Sequence, residues 1–272
     1  MAIRRCKRVV VMADLHCGHI VGLTPPNWQY RLLESDEEDV SKHNKWAKVE
    51  EATWIAYTEI MQSLQPIDVL IVNGDAIDGK GERSGSTECL TADRTAQTEM
   101  AAYCINRAKA DAVVMTYGTA YHTGREEDWE SFVFQLVKNA KKIGSHEWPI
   151  VNGVTFDCKH FASRSSIPHG KGTPLMRDVL WNTLWAEREL QPKGDIIIRS
   201  HVHYAFYCGE PGSWWACTTP ALQGMGSKYG ARMCATMVHW GLISFDIEPN
   251  GEWRETWHVK AIVEQAAQPI VL

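Results

Sequence analysis

Several features are missing from this sequence, and each absence narrows its reading. No apolar run approaches the ~18 residues of a membrane span, and the basic start Arg4-Arg5-Cys6-Lys7-Arg8 precedes too short an apolar stretch for a secretory signal. The expectation is therefore a soluble, cytoplasmic chain with no membrane partner. Eight cysteines, Cys6, Cys17, Cys89, Cys104, Cys158, Cys208, Cys217 and Cys234, form no C-x-x-C pair, which favours reduced thiols over disulfides or a structural zinc site. A basic excess is also lacking. The formal net charge is −5, which argues against a wide phosphate-gripping surface and leaves room for a local one. No Gly-x-Gly-x-x-Gly follows a strand, so dinucleotide cofactors find no support, and no Gly-x-Ser-x-Gly offers a serine nucleophile. Repeats, low-complexity stretches and Gly/Ser linkers are absent too, so residues 1–272 read as one domain.

What remains is an ordinary globular composition: 272 residues, 44% hydrophobic and 22% charged. A chain of this length buries roughly three-quarters of its unfolded surface without needing staples. The β-branched run Arg8 to Met12 predicts a buried strand. A long polar insertion follows at about 20–42, containing Thr24-Pro25-Pro26 and the acidic run Ser35 to Asp39; that run alone reads as a solvated face. Trp46, Val49, Thr53, Ala56, Ile60 and Leu64 then mark one stripe of a helix over Ser41–Gln65. Strands are expected over Asp68–Val72, Ala112–Thr116, Val154–Lys159 and Asp195–Arg199. Helices are expected over Thr91–Ala110, through Trp129, Phe132, Val133, Leu136, Val137 and Ala140, and over Pro174–Leu190. From Ala205 onward the pattern predicts antiparallel strands, with Asn250-Gly251 as a hairpin turn, forming a second sheet packed on the first. Alternating strands and helices give an α/β fold.

The chemistry gathers where strands end. Asp14-x-His16 follows the first strand, Gly74-Asp75-x-x-Asp78 the second, and His122 lies in the loop after the third; His160 and the pair His201-x-His203 follow later strands. In open α/β sheets functional residues collect beyond the carboxyl ends of strands. Aspartates and imidazoles together suit a borderline divalent metal such as Zn²⁺, Mn²⁺ or Fe²⁺. Each piece alone has a plain structural reading, a turn with an Asx cap for Gly74-Asp75 or a chance neighbour for Asp14 and His16. The ordered combination carries the metal-site expectation. His19, His43, His146, His239 and His258 have no motif behind them and read as satisfied structural histidines.

In that order the motifs resemble the calcineurin-like metallophosphoesterase superfamily. The resemblance implies a four-layer α-β-β-α sandwich with a dinuclear centre of two divalent ions, Mn²⁺ first and Fe, Zn or Ni as alternatives. It implies that Asp14, His16 and His203 hold one ion, that Asp75 bridges, that His160 and His201 hold the other, and that Asp78 orients a ligand. Two departures stand out. The family's Gly-Asn-His is replaced by Gly118-Thr119-Ala120-Tyr121-His122, so Thr119 stands where an amide ligand is usual, and His122 is the candidate catalytic acid. This variant is similar to a subgroup of phage and prophage proteins, whose location would be the host cytoplasm. The lone histidine of the fourth motif is His160, with His169 of Pro168-His169-Gly170 as the alternative. Arg164, Lys171 and Arg177, with His169, are candidates to line a phosphate pocket, with a solvated loop as the default; Tyr121 or Trp28 are candidates to stack a base, with core or surface packing the plainer reading of each. The implied activity is hydrolysis of phosphodiesters, nuclease-like, on DNA or a nucleotide. The alternatives are a small-molecule phosphatase or cyclic-nucleotide phosphodiesterase and, in another class, a degenerate metal-stabilised scaffold.

Overall fold

The computed structural model describes residues 5–34, 38–82, 85–124, 128–165, 167–225 and 237–266. Cys234 and the start of the acidic run, Ser35 to Glu37, lie outside them. Two sheets stack face to face. The first runs in the order β11-β10-β1-β2-β3-β4, built from β1 (Lys7–Met12), β2 (Val69–Asn73), β3 (Ala112–Thr116), β4 (Ala140–Gly144), β10 (Trp240–Ile247) and β11 (Trp253–Lys260). Strands β1 to β4 are parallel, while β10 and β11 run antiparallel at one side. The second sheet has the order β5-β6-β7-β9-β8, from β5 (Ile150–Val151), β6 (Val154–Cys158), β7 (Ile196–Arg199), β8 (Phe206–Glu210) and β9 (Trp214–Thr218).

Strand alternation assigns the layers. Val9, Val11, Ile71, Ile243 and Phe245 of the first sheet meet Phe156, Cys158, Ile196, Ile198 and Trp215 of the second in one core. The opposite faces of β1 and β2, with Val10, Met12, Leu70 and Val72, pack under α1 (Glu38–Ser63), α2 (Arg94–Arg107) and α4 (Trp129–Leu136). Here the stripe read from the sequence is the buried one: Val49, Thr53, Ala56, Ile60 and Leu64 are all buried. The second sheet is covered by α5 (Gly172–Glu187), whose Leu175 meets Ile197 and Ala216. The expected four-layer α-β-β-α sandwich is therefore the observed architecture. Among the described residues no helix is long and apolar enough to cross a membrane.

Three expectations change. The helix through Trp129 stops at Leu136, and Ala140 opens β4, an edge strand whose Lys141 and Lys142 hide the apolar pattern of a strand. The tail does not form the second sheet by itself: β8 and β9 join β6 and β7, whereas β10 and β11 join the first sheet around the predicted Asn250-Gly251 turn. Pairing between distant strands decides that division, and local pattern does not encode it. The insertion is also shorter as a loop than read, because α1 already begins at Glu38; Ile20 and Val21 pack on Val49 with Tyr30 and Trp46.

Candidate metal centre

The parallel strands β1, β2, β3, β6 and β7 bring their carboxyl ends to one crevice. Asp14 and His16 follow β1, Asp75 and Asp78 follow β2, and Thr119 with His122 follow β3, Thr119 capping the single turn α3 (Ala120–Thr123). His160 follows β6, and His201 with His203 follow β7. The chain turns sharply at these points. Asp14, His16, Asp75, His201 and His203 have φ of 52°, 44°, 49°, 71° and 57°, the left-handed region that side chains rarely occupy. Two glycines make room: a side chain at Gly74 would strike the His160 ring, and one at Gly118 would strike the Asp75 carboxylate.

The ligand atoms fall into three mutually close groups, Asp14–His16–His203, Asp75–His160–His201 and His16–Asp78–His122. Nε2 of His16 lies 3.8 Å from Asp14 Oδ1 and 4.0 Å from Asp75 Oδ2. Nε2 of His203 is 3.1 Å from Asp14 Oδ1, and Nε2 of His160 is 2.9 Å from Asp75 Oδ2 and 3.9 Å from Asp14 Oδ1. Two donors each ~2.1 Å from one ion lie at most about 4.2 Å apart, and all of these separations fall within that reach. The contact between His160 and Asp75 is close yet out of hydrogen-bond alignment. Asp14 Oδ1, His16 Nε2 and His160 Nε2 are buried with no hydrogen-bond partner. A folded protein rarely leaves three such atoms facing one another, because each orphan costs about 1–3 kcal/mol. The donor set fits a divalent cation.

Each imidazole is oriented from behind. His16 Nδ1 faces Asp78 Oδ1 at 3.1 Å, His160 Nδ1 donates to the Asn73 carbonyl at 2.7 Å, and His122 Nδ1 donates to the Asp78 carbonyl at 2.7 Å. A carbonyl only accepts, so Nδ1 of His160 and of His122 carries a proton, and Nε2 of each ring is the atom turned to the crevice. Thr119 donates its N–H to Asp75 Oδ1 at 2.7 Å, and its hydroxyl lies 3.3 and 3.4 Å from the two carboxylate oxygens. Behind the centre, Asn73 donates to Ser200 Oγ at 2.7 Å and accepts from Thr116 at 2.9 Å, which stitches the two sheets together below the ligands.

The electrostatics follow from burial and neighbours. Burial pushes Asp14 up, but the imidazoles of His203, His16 and His160 more than reverse this and hold its carboxyl well below the usual range. Burial likewise opposes charge on His16, and the carboxylates of Asp14, Asp78 and Asp75 overcome it, lifting His16 to about 10. His160 rises to about 9 against burial through Asp75. His201 instead drops to about 4, through burial and the nearby His160. The crevice thus favours concentrated positive charge next to its carboxylates.

Other expected residues take clear places. His169 is exposed in a single 3₁₀ turn and joins none of the three groups. Arg164 is exposed, Lys171 sits over the Tyr204 ring at 4.4 Å, Arg177 bonds Ser163, and Tyr121 lies edge-on to His122 at 4.7 Å. Trp28 packs on Tyr103 and into the core under α1 and α2, away from the crevice. The five histidines without motifs all have local partners, such as His146 with Asp157 and His239 with the Ala205 N–H. The described cysteines are free thiols.

Sequence reading missed Glu130. This fully buried carboxyl on α4 accepts from the Ala76 N–H at 2.7 Å and the Gly118 N–H at 2.6 Å, clamping the two loops that flank Asp75. Burial and the charge of Asp75 lift it to about 8. One signal was available: Glu130 is in phase with Val133 on the buried face of its helix.

No family model and no curated protein matches the chain. Among solved structures it is similar to Vacuolar Protein Sorting 29 from Cryptosporidium parvum, at 9% identity over 94% of this chain and 100% of that one, with a TM-score of 0.44. It is also similar to the sulfate thiohydrolase SoxB of Thermus thermophilus (12% identity, 94% of this chain, 57% of that one, TM-score 0.44). A third is the NAD nucleotidase of Haemophilus influenzae, at 9% identity over 92% of this chain and 49% of that one, with a TM-score of 0.41. Likeness this distant carries no argument about activity or ligands, which must come from the crevice itself.

Proposed function

We propose that this chain is a calcineurin-like metallophosphoesterase that hydrolyses phosphodiesters, with DNA or a nucleotide as substrate. The observation that carries the reading is the convergence of the orphaned atoms Asp14 Oδ1, His16 Nε2 and His160 Nε2 beside a second carboxylate, Asp75. Asp14, His16 and His203 would hold one divalent ion and His160 with His201 another, Asp75 serving both; Mn²⁺ is the first choice. Two such ions supply Lewis-acid neutralisation of phosphoryl charge and bring the pKa of water towards neutrality.

The chain's own groups do the rest. Asp78 and the Asn73 carbonyl fix the ring orientation of His16 and His160, and the Thr119 N–H fixes Asp75. His122, anchored through Nδ1, presents Nε2 as the group that hands a proton to the departing alkoxide. Burial, then the charge of His16, hold His122 below its ordinary pKa, so a proton on it is readily released. The insertion springs from the loop that carries Asp14 and His16, which supports placing it on the substrate side. The net charge of −5 favours a short diester over a long polyanion within this class.

The test is a Mn²⁺ titration of hydrolysis with an aryl phosphodiester and the matching monoester side by side. Metal-dependent turnover with the diester preferred is the expected result. Preference for the monoester would replace this reading with a small-molecule phosphatase. Bound metal with no turnover of either ester would favour the scaffold.

A further inference from the structure

Helix α5 has its apolar residues on the wrong side for a covering layer. It buries only Leu175 and Asn182 against the second sheet. Its outward face carries Met176, Leu180, Trp181, Leu184 and Trp185, exposed by 58, 55, 52, 44 and 40%. Leu190, just past its end, is exposed by 63%. These residues follow 4-residue rows, 176–180–184 and 181–185, so they form two adjacent ridges and not scattered spots. By contrast α1, ten residues longer, exposes one large apolar side chain, Ile55.

We propose that α5 is the contact helix of a two-fold homodimer, packing antiparallel against α5 of a second copy. Two observations select a second copy as the occupant. The first is area: the outward side chains offer on the order of 600 Å² of apolar surface per copy, at the top of what a monomer normally exposes and most of the ~800 Å² that each partner buries in a standard interface. The second is charge. Arg177 and Glu187 stand towards opposite ends of the helix, both exposed; Arg177 donates to Ser163 Oγ at 2.7 Å, and among the described residues neither forms an ion pair. A two-fold axis crossing the helix near Asn182 sets Arg177 of each copy beside Glu187 of the other, and Leu180 beside Leu184. Such an arrangement is closed, so it stops at two copies. The inference does not depend on the chemistry of the crevice.

Sedimentation equilibrium of the full chain across roughly 1–100 µM tests it, with the expected outcome a monomer–dimer equilibrium and no larger species. Leu184→Glu is expected to raise the dissociation constant at least ten-fold with unchanged far-UV circular dichroism. Arg177→Glu is expected to weaken the dimer, and adding Glu187→Arg to restore it, which guards against a variant that merely misfolds. A wild-type chain that stays monomeric throughout overturns the proposal, as does a dimer indifferent to Leu184→Glu. A monomer that binds neutral phosphatidylcholine vesicles would also overturn it, assigning the stripe to a lipid surface.

Discussion

The two helical layers sit on their sheets for different reasons. Over the first sheet, α1, α2 and α4 are held by apolar burial: Tyr57, Ile60, Met61, Leu64, Met100, Ile105 and Val133 all enter one core with β1 and β2. Over the second, α5 contributes little grease and much polarity. Arg199, almost fully buried on β7, donates from Nε to Asp178 of α5 at 2.6 Å and from a terminal nitrogen to Asp157 Oδ1 at 2.7 Å. Asn182 of α5 donates to the other Asp157 oxygen at 2.8 Å, and His146 reaches the first oxygen at 2.8 Å. Apolar packing is tolerant of exchange, whereas a buried ionic network holds one geometry and fails sharply when a member is lost. That geometry matters because Arg199 stands two residues before His201. The sheets differ at the crevice as well: the first supplies every carboxylate, the second the imidazoles His160, His201 and His203.

The sharpest way to test the difference is at the carboxylate side. Asp75→Asn is expected to lower metal-dependent turnover by about 10⁴-fold and to reduce bound metal, since in the proposed centre Asp75 would serve both ions. Full activity with two ions per chain by elemental analysis would break the assignment. Next comes the network. Arg199→Ala should destabilise the chain by roughly 3–5 kcal/mol in urea unfolding, because Asp157 would be left buried without its main counter-charge. On the apolar side Met61→Ala should cost about 3 kcal/mol by the same measurement, a cavity loss and nothing more.

The buried carboxyls extend the contrast to pH. Asp157, bonded on both oxygens, is held well below the usual range: His146 and Arg199 outweigh its burial. Glu50 on α1 is raised to about 7 by burial, with one N–H bond from Tyr30 and its Oε1 without a partner. Its folded form stays protonated where the unfolded chain, with the ordinary value of 4.5, has ionised. Stability present below that value is therefore lost as pH rises through about 7. Glu50→Gln should remove about 2 kcal/mol of that decline between about pH 5 and pH 8 in paired unfolding curves. The smallest effect belongs to the outer face of α5, where Leu180→Ala should change the stability of the dilute chain by less than about 0.5 kcal/mol.

The crevice was legible because its chemistry sits at strand ends. Runs such as Val9-Val10-Val11-Met12 and Ile196-Ile197-Ile198 announce strands, and Asp or His directly after them marks one edge of a sheet. What stayed hidden depends on residues far apart in the chain. Glu130 acts on Ala76, 54 residues away, and Arg199 on Asp157, 42 away; neither spacing has a local signature. Helix α5 shows another limit. Periodicity locates an apolar stripe but carries no sign for inside or outside, and only the sheet-facing Leu175 and Asn182 reveal which way the helix is turned.

The left-handed backbone at Asp14, His16, Asp75, His201 and His203 has a consequence for how this chain can change over time. At each position glycine would relax the main chain, by roughly 1 kcal/mol, and at Asp14 and His16 it would also remove a buried atom without a hydrogen-bond partner. Replacement by glycine should therefore be gentler on folding than replacement by alanine, although either removes a candidate ligand. A population selected only for folded protein would drift towards glycine at these five places and lose the centre first. Backbone strain and the candidate ligands are thus carried by the same five residues.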